Sequence, residues 1–164
     1  MALSLFLCFA ALIVFACGLA WWRGGAPERA AAGMFLIAWL ASIATDGPTA
    51  TRYRGVQINY LLIDFALLLG LLMLARFANR RWPVLAASLQ MLIVLAHVAR
   101  ALSPHQVALV YMIMTTVWPY VQLFLLLGGI VLHWRRTAIL GAVPSWSSSS
   151  ATFPAATPPG SLRG

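Results

Sequence analysis

The chain has 164 residues, of which 62% are hydrophobic and only 9% charged. Soluble domains are roughly half apolar and about a quarter charged, so this composition excludes a soluble globular protein and predicts an all-α integral membrane protein. The net charge of +8 does not indicate nucleic-acid binding, because the basic residues separate apolar segments, as the loop charges of a multi-span protein do.

Five apolar segments approach the roughly 20 residues that a helix needs to cross about 30 Å of hydrocarbon. We predict spans at residues 2–22, 29–46, 57–79, 82–101 and 106–134, within a transmembrane helical bundle of residues 1–136. The second segment is short and rich in Ala, so four spans with a re-entrant piece is the alternative.

The first span contains both cysteines, Cys8 and Cys17. Their separation along one helix places them on different sides of it, so they cannot pair with each other and we expect them to be packing residues. No basic residue precedes the apolar run, as a signal peptide would require. We therefore expect the segment to be retained as a span.

The last two spans have recognisable starts. Pro83 falls in the first turn of the fourth helix and Pro104 precedes the fifth, where a missing N–H has little cost. The fifth span would extend more than 40 Å as a straight helix, so we expect it to tilt, project beyond the bilayer or bend at Pro119. Residues 137–164 are rich in Ser, Pro, Ala and Gly, which predicts a disordered tail.

The arginines near the span ends predict the orientation. With five spans, one side of the membrane carries seven of them and the other side three. The seven are Arg23, Arg29, Arg76, Arg80, Arg81, Arg135 and Arg136, and the three are Arg52, Arg54 and Arg100. Because cytoplasmic loops carry the excess of basic residues, we expect the N-terminus outside and the C-terminus in the cytoplasm.

Asp64 is the carboxylate that lies well inside an apolar span, where a charge needs a partner or a polar cavity. A tight turn at Arg80 and Arg81 joins the third and fourth spans. In an antiparallel hairpin, positions equidistant from the turn lie at one depth, and His97 is as far beyond this turn as Asp64 is before it. We therefore predict that the carboxylate and the imidazole lie at the same level.

Gln90 shares a helical face with His97, since the two are seven residues apart. The same mirror argument across the Ser103-Pro104 turn places Gln90 opposite Thr115 and brings Tyr111 near the depth of Val94. The candidate site is thus a polar seam of five residues: Asp64, Gln90, His97, Tyr111 and Thr115.

The seam has two interpretations. Its side chains could hold the helices in register, since hydrogen bonds between membrane helices contribute about 0.6 kcal/mol on average. Alternatively, Asp64 and His97 could carry protons or bind a cationic ligand, as intramembrane ionisable residues often do.

Cofactor and catalytic motifs are not evident in the sequence. The histidines, His97, His105 and His133, offer no facing mid-helix pair for haem and no zinc spacing, and we expect His133 to be an interfacial residue. Motifs for serine hydrolases, zinc proteases and phosphate-binding loops are missing. We therefore expect no cofactor, no metal site and no enzymatic activity.

Arg81-Trp82-Pro83, Gln90, His97 and Trp118-Pro119-Tyr120 form a distinctive set. On the basis of this set, the chain resembles small multi-span inner-membrane proteins of alphaproteobacteria, and the resemblance covers most of residues 1–136. No activity is attached to that group, so the resemblance implies a bacterial inner-membrane location and no catalytic residue.

Two functional hypotheses follow. The first is a non-enzymatic structural or accessory protein whose partners are the lipid bilayer and either further copies of itself or a larger membrane complex. The second is a small transporter or proton-linked permeation module that uses Asp64 and His97. We find no convincing internal repeat, which favours the first. A holin-like lytic role is a third possibility, but nothing in the sequence singles it out.

Overall fold

The computed structural model describes residues 2–45, 58–102, 108–141 and 146. These residues form five α-helices and, among them, no strand beyond one isolated bridge. The helices are α1 (Ala2–Arg23), α2 (Ala26–Ala44), α3 (Ile58–Phe77), α4 (Trp82–Leu102) and α5 (Ala108–Leu140). The predicted all-α fold is confirmed, and the four helices other than α2 are long and apolar enough to cross a membrane.

α2 begins earlier than the predicted second span. Pro27 lies in its first turn, and the Glu28 carboxylate accepts a hydrogen bond of 3.1 Å from the backbone N–H of Gly25. This contact is half of a capping box, which starts the helix at Ala26 and not at Arg29. Residues 26–28, which lie before the predicted span, are therefore already helical.

α5 continues past the predicted end of the bundle at residue 136 and reaches Leu140. Gly141 follows with φ +74°, and its N–H bonds to the carbonyl of Thr137 at 3.1 Å, which is a left-handed helix end that favours glycine. Residues 137–140 are therefore helical, against the prediction of a tail from residue 137. Apart from Gly141 and Trp146, the rest of that predicted tail lies outside the described residues.

The fifth helix is one continuous element of 33 residues that includes Pro119. At helical rise this length is about 50 Å, which exceeds the hydrocarbon thickness of a bilayer. The predicted bend at Pro119 stays a prediction.

The five helices pack as a closed ring. Each helix contacts the next one along the chain, α5 returns to contact α1, and α2 also touches α5. Alanines make up much of the buried core, and their small side chains allow the helices to approach closely. The core comprises Ile13, Ala16, Cys17, Ala20, Ala31, Ala32, Phe35, Leu71, Leu74, Ala78, Trp82, Ala86, Ala87, Leu123, Leu126 and Ile130.

α2 lies antiparallel along α1 for most of its length. Near the turn between them, the Cys17 thiol donates to the carbonyl of Ala32 at 3.4 Å. Towards the other end, the ring of Trp39 lies 6.1 Å from Phe6 and 6.4 Å from Phe9, measured between ring centroids. The weakest predicted span is therefore a full element of the bundle.

The turn between α3 and α4 is tight, as predicted. The N–H of Ala78 bonds to the carbonyl of Leu74 at 2.8 Å, and the N–H of Val84 bonds to the carbonyl of Arg81 at 3.2 Å. Ala78 also forms the isolated antiparallel bridge with Trp146, so the chain returns to this turn after α5. Positions before and after the turn consequently lie side by side in the hairpin.

Candidate functional site

A chain of four hydrogen-bonded polar side chains crosses the bundle from α5 to α4 and α3. We call it the polar chain, and it comprises Asp64, Gln90, His97 and Gln122. The His97 Nε2 atom lies 2.9 Å from the Asp64 Oδ2 atom, and the Gln90 Nε2 atom lies 2.9 Å from Oδ1. Gln122 donates to the Gln90 Oε1 atom at 2.9 Å.

Two backbone carbonyls fix the orientation of both amides. The Gln90 Nε2 atom also donates to the carbonyl of Asp64 at 3.1 Å, and the Gln122 Nε2 atom donates to the carbonyl of Ala86 at 3.1 Å. Because a carbonyl oxygen only accepts, each nitrogen must face it, and the amide oxygens take the remaining positions. Every hydrogen of both amide groups is thereby used.

The hydrogen bonds of the polar chain converge on Asp64. Its two carboxylate oxygens face Gln90 and His97, so an ionised carboxylate accepts at both ends. The side chain of Asp64 is 23% exposed, whereas that of His97 is 3% exposed and Gln90 is fully buried. Asp64 is therefore the member of the polar chain that is open to the bundle surface.

The structure brings together three of the five predicted seam residues. Asp64 and His97 meet at one depth, and Gln90 is the next partner inward. Thr115 lies in the described part of α5 and is half-buried, but it is not a partner of the Gln90 amide. Tyr111 belongs to α5, and its side chain lies outside the described residues.

Gln122, which sequence reasoning missed, occupies the place predicted for Thr115. The prediction assumed a tight turn at Ser103-Pro104, whereas α4 ends at Leu102 and α5 begins only at Ala108. Centring the mirror between those two helix ends moves the counterpart of Gln90 to the neighbourhood of residue 120, about half a turn from Gln122. An amide in an apolar run was the available signal.

A second polar cluster lies at the other end of the hairpin, and we call it the Glu28 cluster. It consists of Glu28, Arg80, Trp82 and His133, which come from three separate parts of the chain. Glu28 is fully buried, and its Oε1 atom accepts from the Trp82 indole N–H at 3.2 Å and lies 3.5 Å from the Arg80 Nε atom. The buried carboxylate is thus compensated by a buried cation.

Arg80 connects the α3–α4 turn to α5. One of its terminal nitrogens, Nη2, lies 2.8 Å from the Nδ1 atom of His133. A guanidinium group has no acceptor, so Nδ1 must accept and the ring hydrogen sits on Nε2. His133 therefore accepts from Arg80 and joins α5 to the Glu28 cluster. Its position at the membrane interface stays a prediction.

The Glu28 cluster is made possible by two glycines at the helix contacts. A Cβ atom at Gly129 would lie 2.6 Å from the indole nitrogen of Trp82, and one at Gly25 would lie 3.0 Å from the His133 Nε2 atom. Both positions must stay without a side chain for the indole and the imidazole to approach the backbone. The cluster was missed in the sequence because residues 28, 80 and 133 are brought together only by the closure of the ring.

The two clusters are chemically different, and similarity to known proteins does not assign either of them. Comparisons with protein-family models, with curated proteins and with solved structures return no match. Within the described ranges, His, Cys, Asp and Glu form no group of three or more that could hold a metal ion. The polar chain offers hydrogen bonds and one partly exposed carboxylate, whereas the Glu28 cluster presents the Arg80 guanidinium and the His133 ring beside a cavity.

Proposed function

We propose that this chain is a multi-pass protein of a bacterial inner membrane, with a structural or accessory role in a membrane complex and no enzymatic activity. The observation that carries the proposal is the polar chain. Its amide hydrogens and carboxylate oxygens are bonded to each other or to the helix backbone, as expected of groups that fix helix register. The bacterial location rests on the resemblance of the Arg81-Trp82-Pro83 set described above.

A partner is physically reasonable for a bundle of this size. Large apolar side chains are exposed on every helix, including Trp22 at 74%, Ile37 at 69%, Met73 at 62%, Leu85 at 56% and Phe124 at 61%. Such a surface suits lipid, other copies of the chain or another membrane protein. Chemical crosslinking in native membranes, followed by identification of the crosslinked chains, distinguishes a partner from lipid alone.

Substitution of Asp64 tests the structural role. Asp64→Asn keeps an acceptor for Gln90 and can donate to His97, so we expect the free energy of unfolding to change by less than about 1 kcal/mol. Asp64→Ala removes both contacts and leaves buried polar groups unpaired, so we expect a loss of about 1–3 kcal/mol and lower accumulation. Thermal unfolding in detergent and membrane abundance are the measurements.

Ser88→Ala is the matched control for these variants. Among the described residues, the Ser88 hydroxyl bonds only to the carbonyl of Val84 in its own helix, at 2.9 Å, so its removal should change little. If Asp64→Asn unfolds as easily as Asp64→Ala, the carboxylate charge matters more than the hydrogen bonds, and the register role is wrong.

A second candidate function is proton-linked permeation through Asp64 and His97. It is favoured by the 23% exposure of the Asp64 side chain together with its contact to a titratable imidazole. Under this hypothesis Asp64→Asn accumulates normally but abolishes proton flux by the purified full-length protein in liposomes, measured with a trapped pH-sensitive dye. Absence of flux in the unsubstituted protein would argue against the second candidate and leave the first intact.

A further inference from the structure

A cavity of about 360 Å³ opens between the α3–α4 turn and the C-terminal half of α5. Three arginines contribute to its lining, Arg80, Arg81 and Arg136, and His133 lies beside them. Ligand sites in proteins have volumes of about 300–1,000 Å³, so the cavity is large enough for a small anion or a lipid headgroup.

The charge of this cavity is not balanced by the neighbouring carboxylate. Glu28 is fully buried and pairs with Arg80, at 3.5 Å. Arg81 and Arg136 are exposed, and no ion pair involves either of them within the described parts of the chain. Two cationic groups therefore remain available at the rim of the cavity.

Arg80 supplies an independent indication of an anion. Its side chain is only 5% exposed, yet its buried Nε–H has no hydrogen-bond partner among the described residues, because Glu28 lies too far away for a good bond. The guanidinium is held in place by the His133 ring and by the carbonyl of Asn79 at 3.3 Å. A fixed, incompletely satisfied guanidinium at the base of a cavity favours an oxyanion.

The cavity also lies at the level where phosphate groups of lipids would be found. The Arg23 guanidinium lies 4.7 Å from the ring centroid of Trp22 and 5.2 Å from that of Trp134, and both rings are exposed. Exposed Trp residues with nearby Arg are typical of the boundary between hydrocarbon and headgroups. Trp134 follows His133 directly, so the cavity shares that depth.

We propose that this cavity binds a phosphate group, held at its rim by Arg81 and Arg136 and approached from within by Arg80. Arginine forks match phosphate oxygens in geometry and charge. The phosphate belongs to the headgroup of an anionic lipid or to a free phosphate ion, and both present the same chemistry to the three arginines. Basic pockets between membrane helices bind lipid headgroups in this way.

Lipid titration of the purified full-length protein tests the proposal. Native mass spectrometry would follow binding of phosphatidylglycerol, with phosphatidylcholine as the zwitterionic comparison and inorganic phosphate as a competitor. We expect preferential binding of phosphatidylglycerol, weakened on the order of thirtyfold by the double substitution Arg81→Gln and Arg136→Gln. Both arginines are exposed, so the fold should persist, which size-exclusion chromatography and circular dichroism can verify.

The control removes the same charge from the same end of the bundle. Arg29 and Arg135 are exposed and do not line the cavity, so the pair Arg29→Gln and Arg135→Gln should bind within about twofold of the unsubstituted protein. Displacement of the lipid by inorganic phosphate indicates that the phosphate alone suffices, and failure to displace it indicates a lipid headgroup. Equal loss of binding in both double variants overturns the proposal. So does equal binding of phosphatidylglycerol and phosphatidylcholine together with no effect of inorganic phosphate.

Discussion

Two adjacent glycines in α5 have different surroundings. A Cβ atom at Gly128 would meet nothing within 4 Å, whereas one at Gly129 would lie 2.6 Å from the Trp82 indole nitrogen. That indole donates to the buried carboxylate of Glu28 at 3.2 Å. The missing side chain at Gly129 therefore determines where Trp82 can sit and whether it reaches Glu28.

Alanine substitutions at these two positions should have opposite effects. Gly129→Ala pushes the indole away from α5 and costs about 1–3 kcal/mol, the usual range for overpacking. Gly128→Ala has free space and should be neutral or stabilise the helix by up to about 1 kcal/mol. Thermal unfolding in detergent provides the comparison, and equal destabilisation by both variants would contradict the close contact.

At the scale of helices, α4 contributes buried polar groups to both clusters along one face. Its buried positions recur every three or four residues and include Trp82, Ala86, Gln90, Ile93, His97 and Arg100. The first of these belongs to the Glu28 cluster, and Gln90 and His97 belong to the polar chain. α4 is thus the helix through which α2, α3 and α5 are held together by polar contacts.

Glu28→Gln tests the buried ion pair that joins α2 to the α3–α4 turn. Gly25 and Trp82 donate to different oxygens of Glu28, and the single amide oxygen of Gln can accept from only one of them. The substitution therefore removes the charge and one acceptor. It leaves Arg80 as a buried cation without a counter-charge, and we expect a loss of about 3 kcal/mol in the free energy of unfolding. Denaturant unfolding in mixed micelles would measure it.

Adding Arg80→Gln supplies the control for this charge effect. The double variant has no buried charge left at the pair, so it should recover part of the stability lost by Glu28→Gln. A double variant whose loss equals the sum of the two single losses would show that Glu28 and Arg80 do not interact.

For the whole molecule, the ring of helices gathers one end of the bundle into a basic surface. The contacts of Arg80 with His133 and of Arg23 with Trp134 bring the α1–α2 turn, the α3–α4 turn and the end of α5 together. These are the regions that carry the seven arginines counted above. Because α2 runs antiparallel to α1, the start of α1 and Thr45 lie at the opposite end of the bundle.

Cysteine labelling tests this arrangement in a background with Cys8→Ala and Cys17→Ala. If α2 crosses, Thr45→Cys should react with an impermeant maleimide from outside intact cells, whereas Arg29→Cys should react only after the membrane is opened. Both positions are exposed in the structure, so accessibility of the side chain is matched. Labelling of both positions from the same side would support the re-entrant alternative.

Sequence reasoning was most accurate where the geometry is local. The tight turn between α3 and α4 made the depths of Asp64 and His97 calculable, and the two side chains do meet. Gln122 was missed because the mirror was centred on Ser103-Pro104 and not midway between the helix ends at Leu102 and Ala108. The Glu28 cluster depends on contacts between helices that are distant in sequence, and no periodicity within one helix predicts them.

The position of Asp64 bears on the order in which the chain can be assembled. α3 on its own carries a carboxylate amid apolar residues, and in the finished bundle the partners of that carboxylate come from α4, the next helix to be synthesised. An isolated α3 would have to take the unpaired carboxylate into hydrocarbon, at a cost of several kcal/mol. The hairpin of α3 and α4 is therefore the smallest unit that can enter the lipid with this group already bonded, which favours co-insertion of the two helices over stepwise entry.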